Sequence, residues 1–496
     1  MSFTVFIAYS LGRYFAFQTN FFDLGLDSNS VWRTINGYES WSSLIFPSTP
    51  GHINHISPIL GLVAVAYAAV PDPRTLLVIQ AAAVTFAIVP LYLIALRETR
   101  SQLVSLIVAG LYLINPGLHG IIRYDFHPEA FIPFFVFLVY YFYSASRPGL
   151  FYLSVGLMLA TIEYAAVLGV GIALSLWLTK KRLDKRIVTT LASSIFVLVI
   201  IIASTIGGAF EVFNWPSNWL AVQFFGATSS QGTNYALSIS GFWNSPGILL
   251  TSVENNITAK ITYLLIITAP VWFAAVKYSV RVIPALPWLG VVLISSRYSY
   301  SSIDFQYSVF LIPFVYLAAI PFISRLRKQR NLLLPLVALG LCVMLLYSSI
   351  SPVGPHQWPQ PSPLFATVVS VSNAIPENST ILTQSDLYPQ LSNKAYVSIN
   401  YSLPEPPQYV FVNTRTTWYD WTNPSLGYPL STHQQLSRLT SQYSYRVIFE
   451  DLGLQLYELN ARTPIDSSSG SPKTSGVATL GLSLKSERYL QPVINR

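Results

Sequence analysis

Residues 150–178 read LFYLSVGLMLATIEYAAVLGVGIALSLWL, 29 positions whose one charged side chain is Glu163. A hydrocarbon core about 30 Å thick needs roughly 20 apolar residues per helix. The run is therefore too long for one span and short for two. Its flanks decide between them. Arg147 precedes it and Lys180-Lys181-Arg182-Leu183-Asp184-Lys185-Arg186 follows it, and basic clusters stay in the cytoplasm. Both ends on one side require an even number of crossings. The stretch is expected to be a hairpin of two short helices, with Glu163 near its outer turn.

The rest of the chain is threaded outward from that hairpin. Arg325-Leu326-Arg327-Lys328-Gln329-Arg330 is a second strong cytoplasmic marker; Arg97-Glu98-Thr99-Arg100 and the Lys277/Arg281 pair are weaker ones. Thr75–Leu96 then runs inward, 102–117 outward and 128–145 inward. After the hairpin, Ile187–Ile206 goes out, Ala259–Val276 in, Val282–Ser296 out, Tyr307–Ile323 in and Asn331–Ile350 out. Met1–Leu11 lacks a basic n-region and a small-residue cleavage site, so it reads as a first helix and not a cleaved signal. Arg13 arrives after only 12 residues, so that helix tilts or begins upstream. Ser57–Val70 is too short to span and reads as interfacial or re-entrant. The fold expected is a polytopic α-helical membrane protein with about 11 spans over residues 1–350. Composition agrees: 52% of the 496 residues are hydrophobic and 10% charged, against about 25% charged in soluble domains. The net charge of +8 sits in short clusters between apolar runs, so it marks topology and no nucleic acid is expected as a partner. The lone Cys342 excludes an internal disulfide and a cysteine metal cluster.

From Ser351 the material changes. Apolar runs shrink to strand length at Ser379–Thr383, Ala395–Ile399, Tyr409–Val412, Tyr445–Phe449 and Leu454–Leu459, separated by Pro, Asn and Asp turns. His433–Thr440 suits a short helix. A small α/β domain over 351–460 is expected outside the membrane, followed by a flexible tail over 461–496. Sequons at Asn256, Asn378 and Asn400 all fall outside in this thread.

The same thread gathers the polar, reactive residues on the outer side. Asn20-Phe21-Phe22-Asp23-Leu24-Gly25 follows the first helix, and His52 and His55 share its loop. Arg123-Tyr124-Asp125-Phe126-His127-Pro128-Glu129 lies in the next outer loop, and Glu163 in the third. Arg297, Asp304, Gln306 and Tyr307 flank the last one. Ionisable groups near a bilayer are costly and usually line a polar cavity. Asp23 is chemically a candidate general base or metal ligand; the plainer reading is a helix cap. His52-x-x-His55 has helical spacing but fixes no third ligand, and His55 also suits a cap or a substrate hydrogen bond. Pro128 and Glu129 fit the first turn of a helix, while Arg123 would suit a phosphate. Glu163 needs a partner, with Arg123 or Arg297 the candidates, or it stays protonated. No cofactor is indicated: a divalent metal is compatible with these acids, but no residue pattern specifies one.

Asn20–Gly25, Asn54-His55-Ile56-Ser57-Pro58, Leu76-Leu77-x-x-Gln80 with Pro90-Leu91-Tyr92, and Asp125–Glu129 resemble a family of uncharacterised prokaryotic polytopic membrane proteins, known mainly as a domain of unknown function. Ile375–Thr380 and Leu387–Asn393 are similar to its extracytoplasmic part. That family in turn resembles the GT-C glycosyltransferases, whose donors are usually polyprenyl-phosphate-linked sugars and which carry an essential acid in the first outer loop. The resemblance implies that Asp23 is that catalytic acid, deprotonating or orienting an acceptor. It implies that His55, Arg123, Asp125, His127, Glu129, Glu163, Arg297 and Tyr307 bind substrate, with basic groups on the lipid phosphate. Three positions depart from the family pattern. Ser28 stands where a second acid is expected, with Asp27 one step early; Ile162 replaces a Lys; and Gln306-Tyr307 replaces a His-Tyr pair. The function expected is a multi-pass cell-membrane glycosyltransferase with the lipid bilayer and a polyprenyl-phosphate-linked donor as partners. The rival is a transporter or lipid-handling protein that binds without chemistry, and a third reading is an anchored component of a surface assembly.

Overall fold

A computed structural model describes residues 2–45, 55–206, 253–269, 271–295, 298–327, 330–399, 405–416 and 432–464. His52, Arg297 and Asn400 lie outside them. The chain divides into Met1–Phe365 and Ala366–Arg496. The segment after Ile350 packs back on the helices of the first unit. Trp358 meets Tyr9 edge-on with ring centroids 5.1 Å apart, and the Ser362 N–H donates to the Phe15 carbonyl at 2.9 Å.

The first unit is helical. Its described helices are α1 (Ser2–Phe15), α2 (Leu26–Ile35), α3 (Trp41–Ile45), α4 (Ile59–Ala69), α5 (Pro73–Phe86), α6 (Ile88–Thr99), α7 (Gln102–Leu113), α8 (Pro116–Arg123), α9 (Ile132–Ser144), α10 (Pro148–Leu159), α11 (Ala165–Lys180), α12 (Lys185–Ile206), α13 (Ile257–Thr268), α14 (Trp272–Lys277), α15 (Leu286–Ile294), α16 (Ile312–Leu326) and α17 (Arg330–Tyr347). The run at 150–178 is two helices, α10 and α11, with Thr161–Glu163 in the turn between them.

Two helices in this set are long and apolar enough to cross a membrane, Pro73–Thr99 with 27 residues and Lys185–Ile202 with 18. A third qualifies if the bent pair α7–α8 counts as one span; the other apolar helices have 10–17 residues. Prolines and side-chain hydrogen bonds explain much of the fragmentation. Asp72 accepts the Arg74 N–H and Pro73 takes the first helical position, which starts α5 cleanly. Pro90 has no N–H for the Phe86 carbonyl, and the ladder falters at Ala87. Asn115-Pro116 bends α7 against α8 by 46°. The Asn115 carboxamide accepts the Gly117 N–H at 3.0 Å. It donates to the Ile267 carbonyl at 2.8 Å, so the bend is locked to α13.

α16 is buried nearly all round, from Ile312 to Ile320, as expected of a helix at the centre of a bundle. Pro321 leaves the Leu317 carbonyl without its helical donor. Arg281 supplies one at 2.8 Å and also pairs with Glu98 at 2.9 Å. A large apolar cluster running from Phe6 and Tyr112 to Phe314 and Ile323 forms the core.

The second unit holds a five-stranded sheet: β1 (Thr380–Thr383), β2 (Tyr396–Ser398), β3 (Tyr409–Asn413), β4 (Tyr443–Asp451) and β5 (Leu454–Pro464), in the order β2-β1-β3-β5-β4. β1 pairs in parallel with β2 and β3, while β5 pairs antiparallel with β3 and β4. Leu452 and Gly453, both at positive φ, make the two-residue turn that a tight hairpin demands. Leu436 and Leu439 of the helix Thr432–Gln442 pack with Leu382, Val410 and Val412 beneath the sheet. β5 continues to Pro464, four residues into the stretch expected to be tail; residues 465–496 lie outside the described set.

Candidate functional site

The polar residues converge because Gln80 holds their loop. This side chain, on α5, is 1% exposed. Its amide donates to the carbonyls of Ile121 at 2.9 Å, Asp125 at 3.2 Å and Tyr124 at 3.3 Å, and its oxygen accepts the His127 N–H at 2.8 Å. One residue thus fixes the whole Arg123–His127 turn. Gln80→Leu would leave that N–H and those carbonyls buried and unpaired. A loss of about 2–4 kcal/mol is expected from the unsatisfied groups, measured as a drop in the midpoint of thermal unfolding of the detergent-purified protein.

The turn presents His127 to Asp23. Phe21–Gly25 forms a single π-helical turn between α1 and α2, and Asp23 Oδ1 lies 2.9 Å from His127 Nε2. The other ring nitrogen, Nδ1, is 2.8 Å from the Asp125 carbonyl. With an acceptor at each nitrogen, both must carry hydrogen, so the ring is an imidazolium and Asp23 is its counter-ion. Burial works against the charge, but Asp23, Glu129 and the Asp125 carbonyl outweigh it and raise the His127 pKa to about 10. Asp23 therefore spends its carboxylate on His127, and no side-chain cap forms at the start of the turn.

Glu163 finds a partner that the sequence reading did not name. His55 Nδ1 is 2.6 Å from Glu163 Oε1, and the Ile56 N–H donates to Oε2 at 3.2 Å. Arg123, expected there, instead pairs with Asp304 at 3.2 Å, whose same oxygen meets His356 Nε2 at 2.8 Å. The reason is reach: Arg123 ends α8 and faces the 302–306 loop. Glu163 sits in the α10–α11 turn, beside the segment entering α4, where the Ile59 N–H donates to the Ala160 carbonyl. His55 is raised to about 9, because Glu163 more than offsets the burial that disfavours its charge.

Two acids join these pairs. Asp125 accepts the Asn20 N–H at 2.6 Å and faces Arg13 at 3.5 Å; burial pushes its carboxyl up to about 6 against the pull of Arg13. Glu129 is 1% exposed, and neither of its oxygens has a hydrogen-bond partner. It acts electrostatically on both His55 and His127, which links the two pairs in one cluster. Asp27, in the first turn of α2, feels His127, Asp23, Glu129 and His55 as well; burial dominates and raises it to about 7. Among the described residues no three His, Cys, Asp or Glu side chains are arranged to hold a metal ion. Tyr307 stands apart, stacked on Trp288 at 5.6 Å and edge-on to Tyr300 at 4.8 Å. Tyr164, next to Glu163, closes the same aromatic group against Trp288.

These shifts set a pH dependence. The imidazoles rise above their ordinary 6.5, so their stabilisation is complete below about pH 6.5 and is lost as pH climbs through 9–10. Asp27 rises from 3.8, which makes its ionisation costly between pH 4 and 7 and works in the same direction. The unfolding midpoint is expected to fall by on the order of 5 °C between pH 6 and pH 10. His127→Gln should flatten that slope, as differential scanning fluorimetry would show.

No curated protein matches the chain. Residues 13–456 match a family described as Predicted membrane protein (DUF2079). The chain belongs to that family of membrane proteins.

Proposed function

We propose that this protein is a multi-pass cell-membrane glycosyltransferase of GT-C type, moving a sugar from a polyprenyl-phosphate-linked donor onto an acceptor at the outer face. The observation that carries the reading is the Asp23–His127 ion pair, with Glu163–His55 beside it, held at the ends of apolar helices with both acids partly open to solvent. Such a cluster can orient a hydroxyl acceptor and move a proton, which is what glycosyl transfer asks of its protein groups. Asp23 orients the acceptor. Arg123, with His356 and Asp304 fixing its position, offers a guanidinium to the lipid phosphate. Tyr307 and its aromatic neighbours supply a wall against which a sugar ring would rest.

The eleven-span thread belongs to the same proposal, as does an extracytoplasmic second unit. A cysteine at Glu377, which is exposed, tests the topology in a Cys342→Ser background. A membrane-impermeant thiol reagent should label it in intact cells, and labelling only after lysis would invert the thread. The activity is tested with membranes, a panel of radiolabelled polyprenyl-phosphate sugars and a crude acceptor pool. Transfer of label by the wild type supports the reading; none across the whole panel favours a protein that binds or moves lipids without chemistry.

A further inference from the structure

Five carboxylates surround the two imidazoles, and four of them are either engaged or out of reach. Asp23 is engaged by the His127 ring at 2.9 Å. Glu163 is bonded to His55 and to the Ile56 N–H. Asp125 is held by the Asn20 N–H and Arg13 and is 3% exposed. Glu129 has no partner, but at 1% exposure no substrate touches it. Asp27 differs from all four. It lies one helical turn after Asp23, on the first turn of α2, is half-buried, and shows no hydrogen bond or ion pair among the described residues.

We propose that Asp27 is the catalytic base of this site: the acid that takes the proton of the acceptor, while Asp23 and His127 form the fixed pair beside it. This rests on the glycosyl-transfer reading above. In the step, an Asp27 oxygen removes the acceptor hydroxyl proton, the acceptor oxygen bonds to the anomeric carbon, and the bond from that carbon to the lipid phosphate breaks. The electron pair leaves with the phosphate. The surroundings suit the task. Burial and the neighbouring Asp23 and Glu129 charges raise the Asp27 carboxyl, His127 and His55 pull it back, and it settles near neutrality. Of the elements packed on α2, the Phe21–Gly25 turn brings Asp23, while α3 and α4 bring no Asp, Glu, His, Lys or Arg. A base works best with a pKa near the working pH.

Two experiments decide it. The first needs no substrate. A hydrophobic carbodiimide adds to a protonated, reachable carboxyl to leave a stable N-acylurea, which peptide mass spectrometry locates. Dicyclohexylcarbodiimide applied to the detergent-purified chain at pH 6 should mark Asp27, with labelling falling off above pH 8. An unmarked Asp27, or Asp23 marked in preference, overturns the proposal. The second uses the transfer assay. Asp27→Asn should keep or raise the wild-type unfolding midpoint, lose about 100-fold in turnover and lose the rise of rate with pH around 7, while Asp27→Glu retains that rise. Active wild type beside an equally active Asp27→Asn variant overturns the role of Asp27 alone. Wild type that transfers nothing across the donor panel overturns the reading itself, and the role of Asp27 with it.

Discussion

Replacing Asp23 with asparagine is expected to cut sugar transfer by about 100-fold or more while the protein still inserts and folds. The amide has the same shape, so packing in the Phe21–Gly25 turn survives. What disappears is the negative charge 2.9 Å from His127 Nε2. His127 is charged because Asp23, Glu129 and the Asp125 carbonyl surround it; without the first, burial pulls its pKa down. The Asp23→Asn variant should therefore show a lower His127 pKa, read from the pH dependence of its ring resonances, together with slower transfer. A merely structural ion pair gives a different result, since the His127 pKa would fall while transfer stayed unchanged. Full activity in the asparagine variant would remove Asp23 from the mechanism.

The membrane class was legible in the sequence because it depends on composition and on the placement of basic clusters, both of which survive without coordinates. The resemblance to an uncharacterised membrane-protein family agrees with the family match over residues 13–456. Pairings were not legible. His55 meets Glu163 across 108 positions and His356 meets Asp304 across 52, and nothing local in either segment announces its partner. The basic residues Arg123 and Arg297 were natural candidates for Glu163 on charge alone. The structure chose a histidine because the α10–α11 turn packs beside the segment entering α4. His356 was missed altogether, lying in a stretch that composition assigns to the C-terminal domain, although its Pro- and Trp-rich surroundings, Pro355 and Trp358 among them, mark a segment that packs rather than floats. Asp27 stood out little in the sequence, and only its lack of a partner beside four occupied or hidden acids gives that position meaning. The break between α7 and α8 has its visible sign in Asn115-Pro116.

Gly120→Ala is expected to be the most damaging single-methyl change in the site. Gly120 lies on α8, and a Cβ there would stand 1.8 Å from the Ile303 carbonyl oxygen and 3.2 Å from that of Phe305. Both obstacles are main chain, so no rotamer change relieves the clash; either the 302–306 loop or α8 must move. That loop carries Asp304, which joins Arg123 to His356, and it continues into Ser308, whose hydroxyl donates to the Gly117 carbonyl at 2.5 Å. Moving it separates Arg123 from its carboxylate and breaks a buried hydrogen bond together. A loss of about 3–5 kcal/mol follows from overpacking against backbone. That is a large share of the 5–15 kcal/mol typical of a folded domain. The variant should yield little monodisperse protein on size-exclusion chromatography and a markedly lower unfolding midpoint in what remains. Gly110→Ala is the control: on the neighbouring helix α7 its Cβ meets nothing within 4 Å, so it should keep or slightly raise the midpoint, since alanine is the better helix former. Equal behaviour of the two variants would mean that α8 and the Asp304 loop do not approach as closely as described. The charge bridge from Arg123 to His356 would then lose its footing, and with it the place assigned to the lipid phosphate.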